Sequence, residues 1–265
     1  MNFSQVVRKK FLRGTQVASL ILRTLAKGEF KQGFEFLCRG SLLVLATLIP
    51  PLQRFLKSYP NAEETRAFDA RFGVDTSTPV KVSQMEVRHE HAINASYYQA
   101  SSPKLFKQAL ANLGPICYPD FTLIDCGSGK GIALLLASEF PFRRIIGIEF
   151  AANLHRVALE NIQKFSSQLQ QCRSIQSYCA DVTTFDFPVE PIVFYLYNPF
   201  DACVMERFLN RVEASWRSAP RPIFFIYVEP LFASVFDAKP FLHKMAEVKS
   251  IPTQSYTIYQ MAPLI

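Results

Sequence analysis

Seven consecutive residues, Asp125-Cys126-Gly127-Ser128-Gly129-Lys130-Gly131, constrain this chain more than any other stretch. Three of its ten glycines fall within five positions there, directly after the apolar run 121–124 and directly before the apolar run that begins at Ile132. Glycine allows left-handed backbone angles and close approach of a ligand to the main chain, and the first turn of the following helix offers unpaired amide donors. A strand, tight turn and helix of this kind opens a parallel, helix-covered sheet.

The flanking sequence continues the alternation. Strand patterns at 121–125, 144–149, 175–180, 192–197 and 222–228 are separated by helical patterns at 132–140, 154–165 and 201–217, and the runs 247–251 and 255–261 have the look of a final antiparallel pair. Ahead of them, Ser102 can cap a helix that carries Pro103 at its first position and the stripe Leu105, Phe106, Ala109, Leu110 and Leu113. The expected fold class is α/β: a doubly wound, mostly parallel seven-stranded sheet with an antiparallel final strand, plus an N-terminal helical extension. The ligand site belongs at the carboxyl ends of the strands.

Two nucleotide loops fail the pattern. The phosphate-binding G-x-x-x-x-G-K-[ST] loop would need glycine at Ile124 and Ser or Thr at Gly131, so Lys130 is not a phosphate lysine. The dinucleotide G-x-G-x-x-G loop would need Gly or Ala at Ile132. What remains, D-x-G-x-G-x-G, resembles the first motif of the class I S-adenosylmethionine-dependent methyltransferases, and the resemblance spans roughly residues 100–262. It implies that Gly127, Ser128 and Gly129 pass along the methionine and ribose part of S-adenosylmethionine, with Asp125 near its amino-acid end and Gly131 completing the loop. It also implies a carboxylate at the end of the second strand that holds both ribose hydroxyls. Glu149, 24 residues after Asp125 and followed by Phe150, stands in that place.

The same resemblance implies a polar residue after the third strand that reads the adenine amine. Asp181 fits, with Val182 offering its backbone amide; an ordinary loop carboxylate is the other reading of Asp181. Tyr197-Asn198-Pro199-Phe200 resembles a degenerate form of the [DN]-P-P-[FY] motif of amino-group methyltransferases. That implies Asn198 as the residue that orients the acceptor beside the cofactor, with Tyr197 and Phe200 lining its pocket. A plain strand-to-helix turn, with Asp201 as helix cap, explains the same residues. Tyr98 or Ser101 would touch the cofactor from the segment that closes over it in many of these enzymes.

Charge divides the chain. Residues 1–60 hold ten Lys and Arg against Glu29 and Glu35, a net of +8; the whole chain carries +7, so residues 61–265 carry −1. The core is not uniformly basic and lacks the aromatic–basic interleaving of a single-strand binder, so a protein amine or a small molecule is expected as acceptor ahead of nucleic acid. The basic amphipathic helices expected over 1–58 suit an anionic membrane surface, or packing on the core or on a second subunit. The apolar run at 41–52 falls short of the ~20 residues of a spanning helix. No signal-peptide cleavage pattern follows the run 17–25.

Six scattered cysteines read as reduced, buried thiols of an intracellular protein, and His89 and His91 lack a third metal ligand. The expected organisation is a basic helical extension at 1–60, a connecting segment at 61–100 and a methyltransferase domain at 101–265. The expected setting is cytoplasmic, with peripheral membrane association open. Two other classes compete: a catalytically silent scaffold that docks through its N-terminal helices, and a nicotinamide-dependent oxidoreductase, which Ile132 disfavours.

Overall fold

The computed structural model describes residues 62–80, 84–86, 98–249 and 255–261, all within the unit Tyr59–Ile265. The helical extension expected at 1–60 and the pair His89 and His91 lie outside the described residues. Buried runs form the strands β1 (Thr122–Cys126), β2 (Arg144–Glu149), β4 (Ile192–Tyr197), β5 (Ile223–Val228) and β7 (Tyr256–Met261), and half-exposed ones form β3 (Ile175–Cys179) and β6 (Leu242–Val248). They make one sheet in the order β3-β2-β1-β4-β5-β7-β6. β1 to β5 pair in parallel, and β7 runs antiparallel to both β5 and β6.

The helices are α1 (62–72), α2 (Pro103–Ala111), α3 (Ile132–Ala137), α4 (Ala152–Lys164), α5 (Ala202–Ser218) and α6 (Ala233–Asp237). Strand alternation divides the core into two layers. Leu123, Val193 and Tyr195 face one, with Phe106 of α2 and Leu134 and Leu135 of α3. Ile124, Phe194 and Leu196 face the other, with Phe208 and Leu209 of α5. Burial on both faces is why β1, β2 and β4 read as unbroken apolar runs.

Three details depart from the sequence expectation. Within 61–100, expected to connect, α1 is a helix whose Phe68 and Phe72 pack on Phe165 with ring centroids 5.9 and 4.8 Å away. Gly73 closes it at φ +67°, and its amide donates to Asp69 O at 2.8 Å. The edge strand begins at Leu242 instead of 247, because an irregularity between Lys244 and Ala246 breaks the period of two that would have revealed it. The five-residue α6 is too short to show a helical period.

Two caps set the helices that flank the site. Ser102 Oγ accepts from Leu105 N and donates to Glu64 Oε2, which ties α1 to the start of α2. Asp201 Oδ1 accepts from Val204 N at 2.9 Å and starts α5. Asp201→Ala should therefore cost about 1 kcal/mol in urea unfolding. Phe208→Ala, which empties the centre of the α5 layer, should cost about 3–5 kcal/mol.

Candidate functional site

β1 hands the chain to α3 through Gly127, Gly129 and Gly131, all with positive φ. At two of them no side chain fits. A Cβ on Gly127 would lie 2.7 Å from Pro199 Cβ, and one on Gly129 would lie 2.2 Å from the Tyr98 ring. The loop is pinned to β2, since Gly127 N and Ser128 N both donate to Ile148 O, at 2.8 and 3.1 Å. Ser128 turns its side chain down onto β2, where a Cβ on Gly147 would stand 2.8 Å from Ser128 Oγ. That buried hydroxyl has no hydrogen-bond partner among the described residues.

Two carboxylates sit beneath the loop. Glu149, 3% exposed, accepts from Gly129 N at 2.7 Å and from Ala151 N at 2.8 Å, one bond to each oxygen. Burial pushes its pKa up, and the bonds from Ala151 and Gly129 oppose that rise. Asp125, 4% exposed, has its pKa pushed well up by burial and then by the charge of Glu149. Lys130 of the same loop is buried and bound to Asp75 at 2.8 Å.

Beyond the carboxyl ends of β1 to β4 opens a cleft. Gly127, Phe150, Asp181, Val182 and Phe200 line it, as do Ile148, Ala180 and Val204, which no sequence motif singles out. Asp181 lines the cleft while its Oδ1 accepts from Thr183 N and Oγ1, both at 2.8 Å, so the loop role and the cleft position coexist.

Tyr197 packs against the α2 and α3 layer and Phe200 against the α5 layer. The cause is the alternation of β4, which sends Tyr197 the same way as Val193 and Tyr195. Asn198 takes φ +40°, and its Oδ1 accepts from the Tyr227 hydroxyl at 3.2 Å. That hydroxyl in turn accepts from Phe232 N at 3.3 Å. Ser101 Oγ accepts from Tyr195 OH at 3.1 Å. Tyr98 does cover the loop, with its hydroxyl donating to Thr76 O at 2.6 Å.

The glycine loop after β1, Glu149 at the end of β2 and the antiparallel β7 are thus assembled in one seven-stranded sheet. The resemblance to the class I S-adenosylmethionine-dependent methyltransferases extends to the fold. No protein-family model matches the chain, and no curated protein does. Among solved structures it is similar to TrmN from Thermus thermophilus (15% identity over 62% of this chain, TM-score 0.47). It is similar also to the 23S rRNA methyltransferase ErmE (14% over 61% of this chain and 70% of that one, TM-score 0.42). A third is magnesium protoporphyrin IX methyltransferase from Synechocystis PCC 6803, solved with bound SAM (9% over 60% of this chain and 77% of that one, TM-score 0.44). The chain spans about half the length of TrmN, 49%.

One expectation is corrected by these matches. Nucleic acid was placed behind amines and small molecules, yet one matched structure is described as an rRNA methyltransferase. A near-neutral core does not exclude a base as acceptor, because the basic excess that would hold a phosphate backbone can lie in a separate segment, as 1–60 does here. Among the described residues no helix is long and apolar enough to cross a membrane, and no cluster of His, Cys, Asp and Glu could hold a metal. The thiols expected to be buried are only partly so: Cys126 and Cys172 are, whereas Cys117, Cys179 and Cys203 are exposed.

Two outcomes test the local electrostatics. Ser128→Ala deletes an unpartnered buried hydroxyl, so denaturant unfolding should show no loss and up to about 1 kcal/mol of gain. Asp125 carries a raised pKa in the folded state, so its contribution to stability is full below the ordinary aspartate range and is lost as pH rises through the raised value. Unfolding of Asp125→Asn and of the parent, compared from pH 4 to 8, should show the variant gaining on the parent as pH increases.

Proposed function

We propose that this chain is an S-adenosylmethionine-dependent methyltransferase. The observation that carries the reading is the pair of buried carboxylates, Asp125 and Glu149, under a glycine loop whose one lysine is already neutralised by Asp75. Such a site suits a ligand that brings positive charge and a vicinal diol, and it repels the diphosphate of a dinucleotide. When bound, S-adenosylmethionine supplies an electrophilic methyl on sulfur, which an acceptor's lone pair takes in line while the C–S electrons return to sulfur.

The residues divide the remaining work by position. Phe150, Asp181, Val182 and Phe200 are proposed to hold the base in the cleft, and Glu149 to accept from the ribose hydroxyls. Asp125 faces the ammonium end, and the backbone of Gly127, Ser128, Gly129 and Gly131 lets the ligand lie close to the sheet. Tyr98 excludes water from above. Asn198, fixed by Tyr227, and Tyr197 stand at the carboxyl end of β4, where they orient the acceptor. Alignment and removal of water supply the rate, with no catalytic dyad required. The acceptor's chemical class is unassigned.

Calorimetry with adenosylhomocysteine and NAD on the parent and on Glu149→Gln checks this. Glutamine keeps an oxygen for Gly129 N but loses the charge, so adenosylhomocysteine affinity should fall at least about tenfold, within the roughly 1.5–3 kcal/mol of a charge-assisted hydrogen bond. NAD should not bind. A parent that binds neither ligand favours the scaffold, and one that binds NAD alone favours the oxidoreductase.

A further inference from the structure

The proposed function leaves Lys130 without a role, although its side chain is only 3% exposed. An ammonium buried to that degree requires a partner, and Asp75, from the turn after α1, provides it at 2.8 Å. Asn161 of α4, 1% exposed, locks the pair from behind. Its Oδ1 accepts from Asp75 N, and its Nδ2 donates to Asp75 O and Lys130 O, each at 2.9 Å. Asp69 folds the same turn over itself, accepting from Thr76 N, Thr76 Oγ1 and Ser77 N. Thr76 O then takes the Tyr98 hydroxyl, while the Tyr98 ring lies on Gly129 with Lys130 Nζ 5.9 Å from its centroid.

The contacts close a circuit: Lys130 to Asp75, through the turn to Thr76, to Tyr98, and back to the glycine next to Lys130. We propose that Lys130 is a positioning residue, which through Asp75 fixes the turn 73–78 and Tyr98 as a cover over the glycine loop, and that this cover sets how fast the loop's ligand exchanges. The proposal rests on the reading of that loop as an adenosylmethionine site. Lys130 touches no ligand in this role. It acts on Tyr98, whose ring occupies the one face of Gly129 that a side chain would otherwise fill.

Release of labelled adenosylhomocysteine from the full chain, chased with unlabelled ligand, tests it in Lys130→Met, Asp75→Asn, the double variant and Asp75→Glu. Each single loss of charge should speed release about tenfold, a change within reach of one buried charge-assisted hydrogen bond. The double variant should be no faster than either single one, because both remove the same link. Asp75→Glu, which keeps the carboxylate, should return release to near the parental rate. A merely stabilising pair would lower the melting temperature and leave release unchanged. Release within twofold of the parent in folded single variants, or additive acceleration in the double, overturns the proposal. Should Lys130→Met not fold, Asp75→Asn carries the test, since its side chain is half exposed. A parent that fails to bind adenosylhomocysteine refutes the functional reading and this one with it, whereas a binding parent with unaltered variants refutes the positioning role alone.

Discussion

The carboxylate of Glu149 holds the site to the sheet. Its two oxygens accept from Gly129 N and Ala151 N, and so it clasps the turn after β1 to the turn after β2. Both bonds are charge-assisted and shielded from water, which makes them strong individually and makes their loss expensive in a buried setting. Parallel pairing brings the two turns side by side, with Cys126 opposite Ile148. The same register that builds the core therefore delivers a carboxylate under a glycine amide.

Around that clasp the charges are arranged asymmetrically. Burial and then the charge of Glu149 raise the cost of ionising Asp125 beneath the loop, and the only lysine of the loop is turned away onto Asp75. Had Lys130 pointed at the cleft, the site would favour phosphate. With Lys130 bound to Asp75, the charge beneath the loop is left to the two carboxylates. Tyr98 completes the enclosure by lying on Gly129, a contact that exists because that residue has no Cβ.

Parts of this were legible from the residues alone. β2 and β4 fall on the expected spans, 144–149 and 192–197, because central parallel strands buried on both faces need uninterrupted apolar runs. Asp201 as the cap of α5 and Ser102 as that of α2 are equally local, each bonding an amide three residues ahead. β6 was misplaced because its bulge breaks the alternation, and Tyr197 and Phe200 pack on opposite layers because a turn lies between them.

The sequence by itself determined the chemistry at hand: an acidic residue and three glycines between a strand and a helix, a second acidic residue after the next strand, and a charge excess confined to residues 1–60. These are local patterns, and backbone sterics and strand periodicity act within a few residues. Only the tertiary structure decided that Lys130 is bound 55 positions away by Asp75, that Asn161 meets Asp75 across 86, and that Tyr227 holds Asn198 across 29. Such pairings are chosen by the packing of whole elements, and a lone Asp or Asn carries no mark of the partner that burial will assign to it.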